Sequence, residues 1–341
     1  MTAPAWSGLP SREVAAGEQT LRQLELTVTR KLDGLIHGDH QGLANGPGGE
    51  PGDGRAYQPG DDVRRIDWNL TARSGEVHVR DTIADRELET WFVVDGSASL
   101  DFGTARHEKR DLAVAVVAAF GFLAARAGNR TAAVVFDGDG TRVVPPQAGR
   151  DAVMGLLVRL RRRPRSSGGE GSLADALRRV RLLARRRGLV VVVSDLLDDS
   201  DWPAELRALG ARQDVIVAHI SDPREDELPA VGLLTLVDPE TGQHHEVQTS
   251  SRRFRERYAA AAAARRATTT AAIRASRAGH LPVSTDRDWL DDVVRFVAMR
   301  KNLRQASIGP AQHGALRPDR HGALRPDQHG ALRPSPHGGM R

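Results

Sequence analysis

The sequence predicts an α/β fold, a doubly wound, mostly parallel sheet flanked by helices. Three observations point to it. From residue 87 onward, apolar strand-like runs alternate with helix-like segments. The run "LVVVVSD" at 189–195 is apolar at nearly every position, as a strand covered on both faces must be. Acids stand at or just past the predicted strand ends, at Asp95, Asp137, Asp195, Asp222 and Asp286. That is the rim where such sheets hold their sites.

The elements follow in order. Residues 1–17 read as a flexible leader and 18–85 as a small N-terminal extension of loop and strand. Within the extension, 18–36 space Leu21, Leu24, Leu26, Val28, Leu32 and Leu35 as a rough helical face. Gly38 to Gly60 is rich in Gly, Pro and Asp and reads as loop, while "EVHVRDTI" alternates like a strand. The main domain spans 86–303. It opens with the strand "LETWFVVD" and the helix "RDLAVAVVAAFGFLAARAG", closed by Gly128. The strand "TAAVVFDGDG" and the short strand "TRVVPP" follow, then the helix "RDAVMGLLVRLRR". In "SLADALRRVRLLARRRG", Ser172 is placed to cap a helix and Gly188 to end it. Next come "LVVVVSD", the helix "WPAELRALGARQ", the strand "DVIVAHISD" and a hairpin in "LLTLVDPETGQHHEVQ". A long Ala- and Arg-rich helix over 252–278, the strand "LPVSTD" and the helix "RDWLDDVVRFVAMRK" complete it. Residues 304–341 carry "HGALRPDR", "HGALRPDQ" and "HGALRPSP" in succession; this Pro-, Gly- and Arg-rich tail has too little apolar surface to order itself.

Composition limits the function. The 341 residues are 40% hydrophobic, enough for a large core, but only 4% aromatic. With no cysteine, disulfides and thiolate metal sites are excluded, which is compatible with a reducing cytosol; a cytoplasmic location is expected. Residues 300–341 carry eight basic residues against two acids, so the net charge of +5 sits in the tail and 1–299 are near neutral. Arg178, Arg181 and Arg185 lie opposite Leu173, Leu177, Val180 and Ala184, which reads as a solvated helix face rather than a nucleic-acid patch. The longest apolar run, Leu112–Ala125, falls short of the ~20 residues needed to span a bilayer. No membrane span and no secretory signal are expected.

Asp95-x-Ser97-x-Ser99 at the mouth of a strand suits a hard cation. Mg²⁺ takes oxygen ligands and keeps several waters, leaving it able to accept an oxygen from outside. Asp195, at a second strand mouth, supplies another carboxylate if the two strands are neighbours. The competing reading is local, because Asp and Ser also gather in turns and helix caps.

"YQPGDDVRRIDWNLTAR" followed by "RELETWFVVDGSASLDFGT" resembles the bacterial domain-of-unknown-function 58 family, whose core is similar to the von Willebrand factor A domain. "VVVVSDLLD", "DPREDELPAVGLLTLVDPETG" and "STDRDWLDDVVRF" extend the resemblance over roughly 20–303, to a short type without hydrophobic N-terminal segments. The resemblance implies a von Willebrand factor A-like domain over 86–303 and a metal-ion-dependent adhesion site. Asp95, Ser97 and Ser99 would be its first-loop ligands and Asp195 its third-loop ligand, with Mg²⁺ as the ion and Mn²⁺ or Ca²⁺ able to substitute. The family pattern also has a second-loop Thr, where this chain has Gly171; Ser172 serves only if the loop shifts by one residue and is otherwise the helix cap.

The resemblance further implies a non-enzymatic adaptor that works with a MoxR-type AAA+ ATPase and a client protein in assembling or remodelling complexes. The alternative is an Mg²⁺-dependent hydrolase of phosphate esters, against which stands the lack of a phosphate-binding loop of P-loop or Rossmann spacing. The block around Trp68 is expected to be structural, with Pro59-Gly60 turning, Asp61 and Asp62 bonding backbone, Arg64, Arg65 and Arg73 pairing with acids and Trp68 packed on the sheet edge.

Overall fold

The computed structural model describes residues 20–31, 54–57, 66, 68–80, 88–165 and 171–307. The expectations for the leader, for Pro59 to Arg65 and for the tail repeats fall outside the described residues. The chain divides into units Met1–Asn302 and Leu303–Arg341. Of the second, only 303–307 are described, as the end of a helix.

Helix α1 covers 20–31. Strand β1 (Gly54–Ala56) pairs antiparallel with β2 (His78–Arg80), and α2 (Trp68–Ser74) falls between them in sequence. Then follow β3 (Glu89–Asp95), α3 (Lys109–Arg126), β4 (Arg130–Asp137), β5 (Gly140–Ala148), α4 (Arg150–Arg162) and α5 (Leu173–Leu183). After them come β6 (Leu189–Ser194), α6 (Trp202–Gly210) and β7 (Asp214–Ser221). The hairpin β8 (Leu233–Val237)–β9 (His244–Gln248), α7 (Arg252–Ala275), β10 (Gly279–Ser284) and α8 (Trp289–Ser307) end the described chain.

Six strands form the main sheet in the order β10-β7-β6-β3-β4-β5. All pairs are parallel except β4–β5, which a tight turn makes antiparallel. The chain leaves β3 for β4 on one side and later returns to β6 on the other. The carboxyl end of β3 is therefore the switch point of the sheet.

Alternation along each strand builds two cores. Phe92, Val94, Ala133, Val135, Val191 and Val193 face α3, α4 and α8, joined by Leu21 and Val28 of α1. Trp91, Val93, Ala132, Val134, Val190 and Val192 face α5, α6 and Ile273 of α7. Side chains two apart share a face, so the unbroken apolar run of β6 fills both layers. Each fully buried Val, Leu or Phe contributes roughly 1.5–3 kcal/mol. Helix α3 is buried from Leu112 to Ala124, and Gly121 lets it meet Val153 of α4, whose Cγ1 lies 2.8 Å from where a Cβ would stand. It ends as its sequence predicts: Gly128 takes φ 73° while the Asn129 amide donates to the Ala124 carbonyl at 2.9 Å.

Four expectations are corrected. Gly54–Ala56, inside the stretch read as loop, pairs as a strand. Trp68 does not pack on the sheet edge; it is 71% exposed. The last helix, read as ending at Lys301, continues to Ser307. Helix α5 stops at Leu183 rather than at Gly188, because Gln213 Nε2 donates to the carbonyls of Ala184 and Arg186 and turns the chain there. Gly188 is needed for another reason, since a Cβ there would lie 2.2 Å from the Glu89 carbonyl oxygen.

Candidate metal centre at the switch point

The first loop follows β3. Gly96 donates its amide to the Phe136 carbonyl of β4 at 2.7 Å, and a Cβ at Gly96 would meet that oxygen at 2.9 Å. Only glycine fits between Asp95 and Ser97 at this approach. Ser97 donates its amide to Asp95 Oδ1 at 2.8 Å, and the Ser194 hydroxyl, at the end of β6, donates to Asp95 Oδ2 at 2.6 Å. The Ser97 and Ser99 hydroxyls lie 2.9 Å apart. All three first-loop residues are buried.

Asp195 follows β6, the direct neighbour of β3, so the two strand mouths do adjoin as the sequence reading required. Its turn holds Leu196 at φ 57°, a left-handed conformation that costs a non-glycine residue about 1–2 kcal/mol. Burial of Leu196 and a 2.9 Å bond from its amide to Ser194 Oγ hold it there.

The second loop contributes no ligand from Ser172. Its hydroxyl accepts the Asp175 amide at 3.1 Å as the N-cap of α5, and Asp198 and Ser200 of the third loop take the amides of Leu173 and Ala174. This is the cap reading, and it removes Ser172 from the candidate set. A Cβ at Gly171 would stand 3.1–3.2 Å from Phe136 Cδ2 and the Asp137 carbonyl, so a threonine there would crowd the end of β4.

Of the five strand-end acids, only Asp95 and Asp195 belong to this cluster. Asp137 is bound across its hairpin by Arg142 at 2.5 Å. Asp286 accepts from Ser284 at 2.5 Å. Asp222 is fully buried and holds four donors: the Thr104 amide and hydroxyl, the Thr285 hydroxyl and the Arg224 amide. It thereby fastens the chain beyond the first loop to the end of β10.

Two groups that the sequence reading passed over complete the site. Lys109, first residue of α3, is wholly buried, and its Nζ donates to Asp195 at 2.7 Å and to Glu225. Burial alone would lower its pKa, but Asp195 and Glu225 outweigh that and hold it above the usual value. Burial would likewise raise Asp195, yet the Lys109 charge keeps it below the ordinary carboxylate range. Asp95 has no such partner. Burial, then the charge of Asp195, push it up to about 7. The second group is Glu240, in the turn of the β8–β9 hairpin, whose Oε1 accepts the Ser99 amide at 3.0 Å. Its Oε2 is buried with no hydrogen-bond partner among the described residues. In sequence both looked ordinary: a lysine at a helix start and a glutamate in a turn.

These residues fit a hard cation. The donors are oxygens, as Mg²⁺ requires, and neighbouring ligands of an octahedral Mg²⁺ stand about 2.9 Å apart, which the two serine hydroxyls match. The orphaned Glu240 oxygen has the same need. Among the described residues no group of three His, Asp or Glu side chains is gathered for a metal, so the serines are indispensable to the set. Beside Asp195, a cavity of about 30 Å³ reaches Arg265 and Arg266 of α7, room for roughly one water.

His219 of β7 lines the same cavity and stacks on His280 of β10 at 5.7 Å. Burial, then the neighbouring His280, lower His219 to about 4. Between pH 6.5 and 4 the unfolded chain therefore binds the proton that folded His219 refuses, and stability falls as pH falls through that window. Asp95 works in the opposite sense, since its raised pKa favours the folded state as pH drops below 7. His219→Phe is expected to remove the histidine contribution, sparing about 2 kcal/mol of the loss between pH 7.5 and 5. Urea unfolding at the two pH values measures this, and equal losses in variant and wild type would refute it.

Comparison with known proteins gives three kinds of match. The family described as "Protein of unknown function DUF58" matches residues 53–268. The uncharacterized protein Rv1480 of Mycobacterium tuberculosis is 51% identical over 282 residues, covering 82% of this chain and 89% of that protein. The uncharacterized protein MAV169 of Mycobacterium avium is 41% identical over 159 residues, 46% of this chain and 94% of its own length. Among solved structures, BatB from Bacteroides thetaiotaomicron aligns with TM-score 0.39 at 12% identity, over 63% of this chain and 99% of its own. The SpRpn10 VWA domain aligns with TM-score 0.34 at 12% identity, over 61% and 93%. Among the described residues no helix is long and apolar enough to cross a membrane.

Proposed function

The chain belongs to the DUF58 family, and on that premise we propose that it is a non-enzymatic interaction module whose contact point is the rim at the end of β3. The observation that carries this reading is the meeting of Asp95, Ser97, Ser99 and Asp195 at the switch point, with the two serine hydroxyls 2.9 Å apart. These four residues would hold Mg²⁺, or Mn²⁺ or Ca²⁺ in its place. A bound ion supplies an electrophile for an acidic side chain of another protein.

The chain's own residues serve that task in distinct ways. The Ser97 amide and the Ser194 hydroxyl fix the Asp95 carboxylate, Lys109 balances the charge of Asp195, and Asp222 anchors the segment beyond the first loop. In this reading the partner is a MoxR-type AAA+ ATPase, and together they assemble or remodel a client complex in the cytoplasm.

Capture of the purified ATPase on the immobilised full chain tests it. Capture is expected in millimolar Mg²⁺ and is expected to be lost both with EDTA and in Asp95→Ala. Capture that neither treatment changes would end the case for a cation-dependent contact.

A further inference from the structure

We propose that Glu240 is this chain's own ligand to the cation, supplying from the β8–β9 hairpin the oxygen that the second loop lacks. The inference rests on the reading of the rim as a divalent-cation site and adds to it a residue that the Asp-x-Ser-x-Ser pattern does not include.

The second loop is closed to the role. Gly171 has no side chain, one added there would press on Phe136 and Asp137, and Ser172 is held by the Asp175 amide. Glu240 is delivered instead by a turn built to present it. Asp238 accepts the Glu240 amide at 3.0 Å and the Thr241 hydroxyl at 2.6 Å. Gly242 closes the turn at φ 69°, with its amide on the Asp238 carbonyl at 2.8 Å. The carboxylate so placed has one oxygen on the Ser99 amide. The other is buried and accepts no hydrogen bond among the described residues. A buried carboxylate oxygen without a donor costs on the order of 1–3 kcal/mol or more, a penalty that direct ligation of a cation removes. The Ser97 and Ser99 hydroxyls stand at the spacing of adjacent Mg²⁺ ligands, and the Ser97 hydroxyl is close enough to Glu240 to favour its carboxylate form.

The test is binding of Mn²⁺ to the full chain, read by electron paramagnetic resonance of the free ion, together with the melting temperature in Mg²⁺. Wild type and Glu240→Gln are compared. Glutamine keeps an acceptor for the Ser99 amide, so without metal the two are expected to melt within about 2 °C of each other, a shift smaller than ~1 kcal/mol makes. The wild type is expected to bind Mn²⁺ and to melt higher in Mg²⁺. Glu240→Gln is expected to bind at least about tenfold more weakly, the scale on which groups around a metal act. Equal binding by both would remove Glu240 from the ligand set and leave the adaptor reading intact. No binding by either would overturn the ligand assignment and the cation reading together. Weakened binding in Glu240→Gln, with ATPase capture indifferent to EDTA, would keep the ligand and overturn only the proposed contact.

Discussion

Replacing Lys109 by Met is expected to cost about 3–5 kcal/mol of folding stability at pH 7, the usual result of removing one partner from a buried ion pair. The ammonium is wholly buried, at the start of α3 where the helix dipole opposes a positive charge. It is stable there only because Asp195 and Glu225 receive it. Methionine fills the volume but leaves Asp195, itself nearly inaccessible, with its charge unmatched. Neutralising that charge in Lys109→Met/Asp195→Asn is expected to recover about 1–2 kcal/mol of the loss, since the two residues act as one unit. Urea unfolding of the four members of the cycle measures the coupling. Additive losses would show that the pair is not coupled.

The second large effect is expected at Asp222. Asp222→Ala removes an acceptor shared by four donors, two of them backbone amides, and is expected to cost about 3–4 kcal/mol. Asparagine does not rescue it. Oδ2 takes the Thr104 amide and Oδ1 takes the Arg224 amide, so either orientation of the Asn amide sets an NH₂ group against an N–H. Asp222→Asn is therefore expected to lose about 2 kcal/mol or more. The effect depends on pH. Burial would raise the carboxyl, but the bonds from Thr104, Thr285 and Arg224 outweigh it and hold the pKa below normal. The contribution is present above the ordinary carboxylate range and is lost as pH falls through the lowered value. Denaturant curves at pH 7 and pH 3 read this directly. An Asn variant as stable as wild type at pH 7 would contradict the bonding described.

Much of this was legible beforehand. The strand and helix order from β3 to α8 follows from period-two and period-3.6 patterns and from caps such as Ser172 and Gly128. These signals are local, and neighbouring residues alone decide them. The reading of Trp68 failed for the same reason: an aromatic residue in a short segment carries no record of what lies across from it, and this one is exposed.

The sequence by itself determined an alternating α/β chain with an Asp-x-Ser-x-Ser loop at the mouth of one strand and Asp195 at the mouth of another. Only the tertiary structure decided which oxygens meet. Strand order set β6 beside β3 and so joined Asp195 to the first loop. The hairpin carried Glu240 across 141 residues to the Ser99 amide, and folding buried Lys109 between Asp195 and Glu225. The physical reason is that a short pattern fixes the backbone state and the face a residue occupies. Charge compensation and ligation instead depend on distances between segments far apart in the chain, and those exist only once the sheet has assembled.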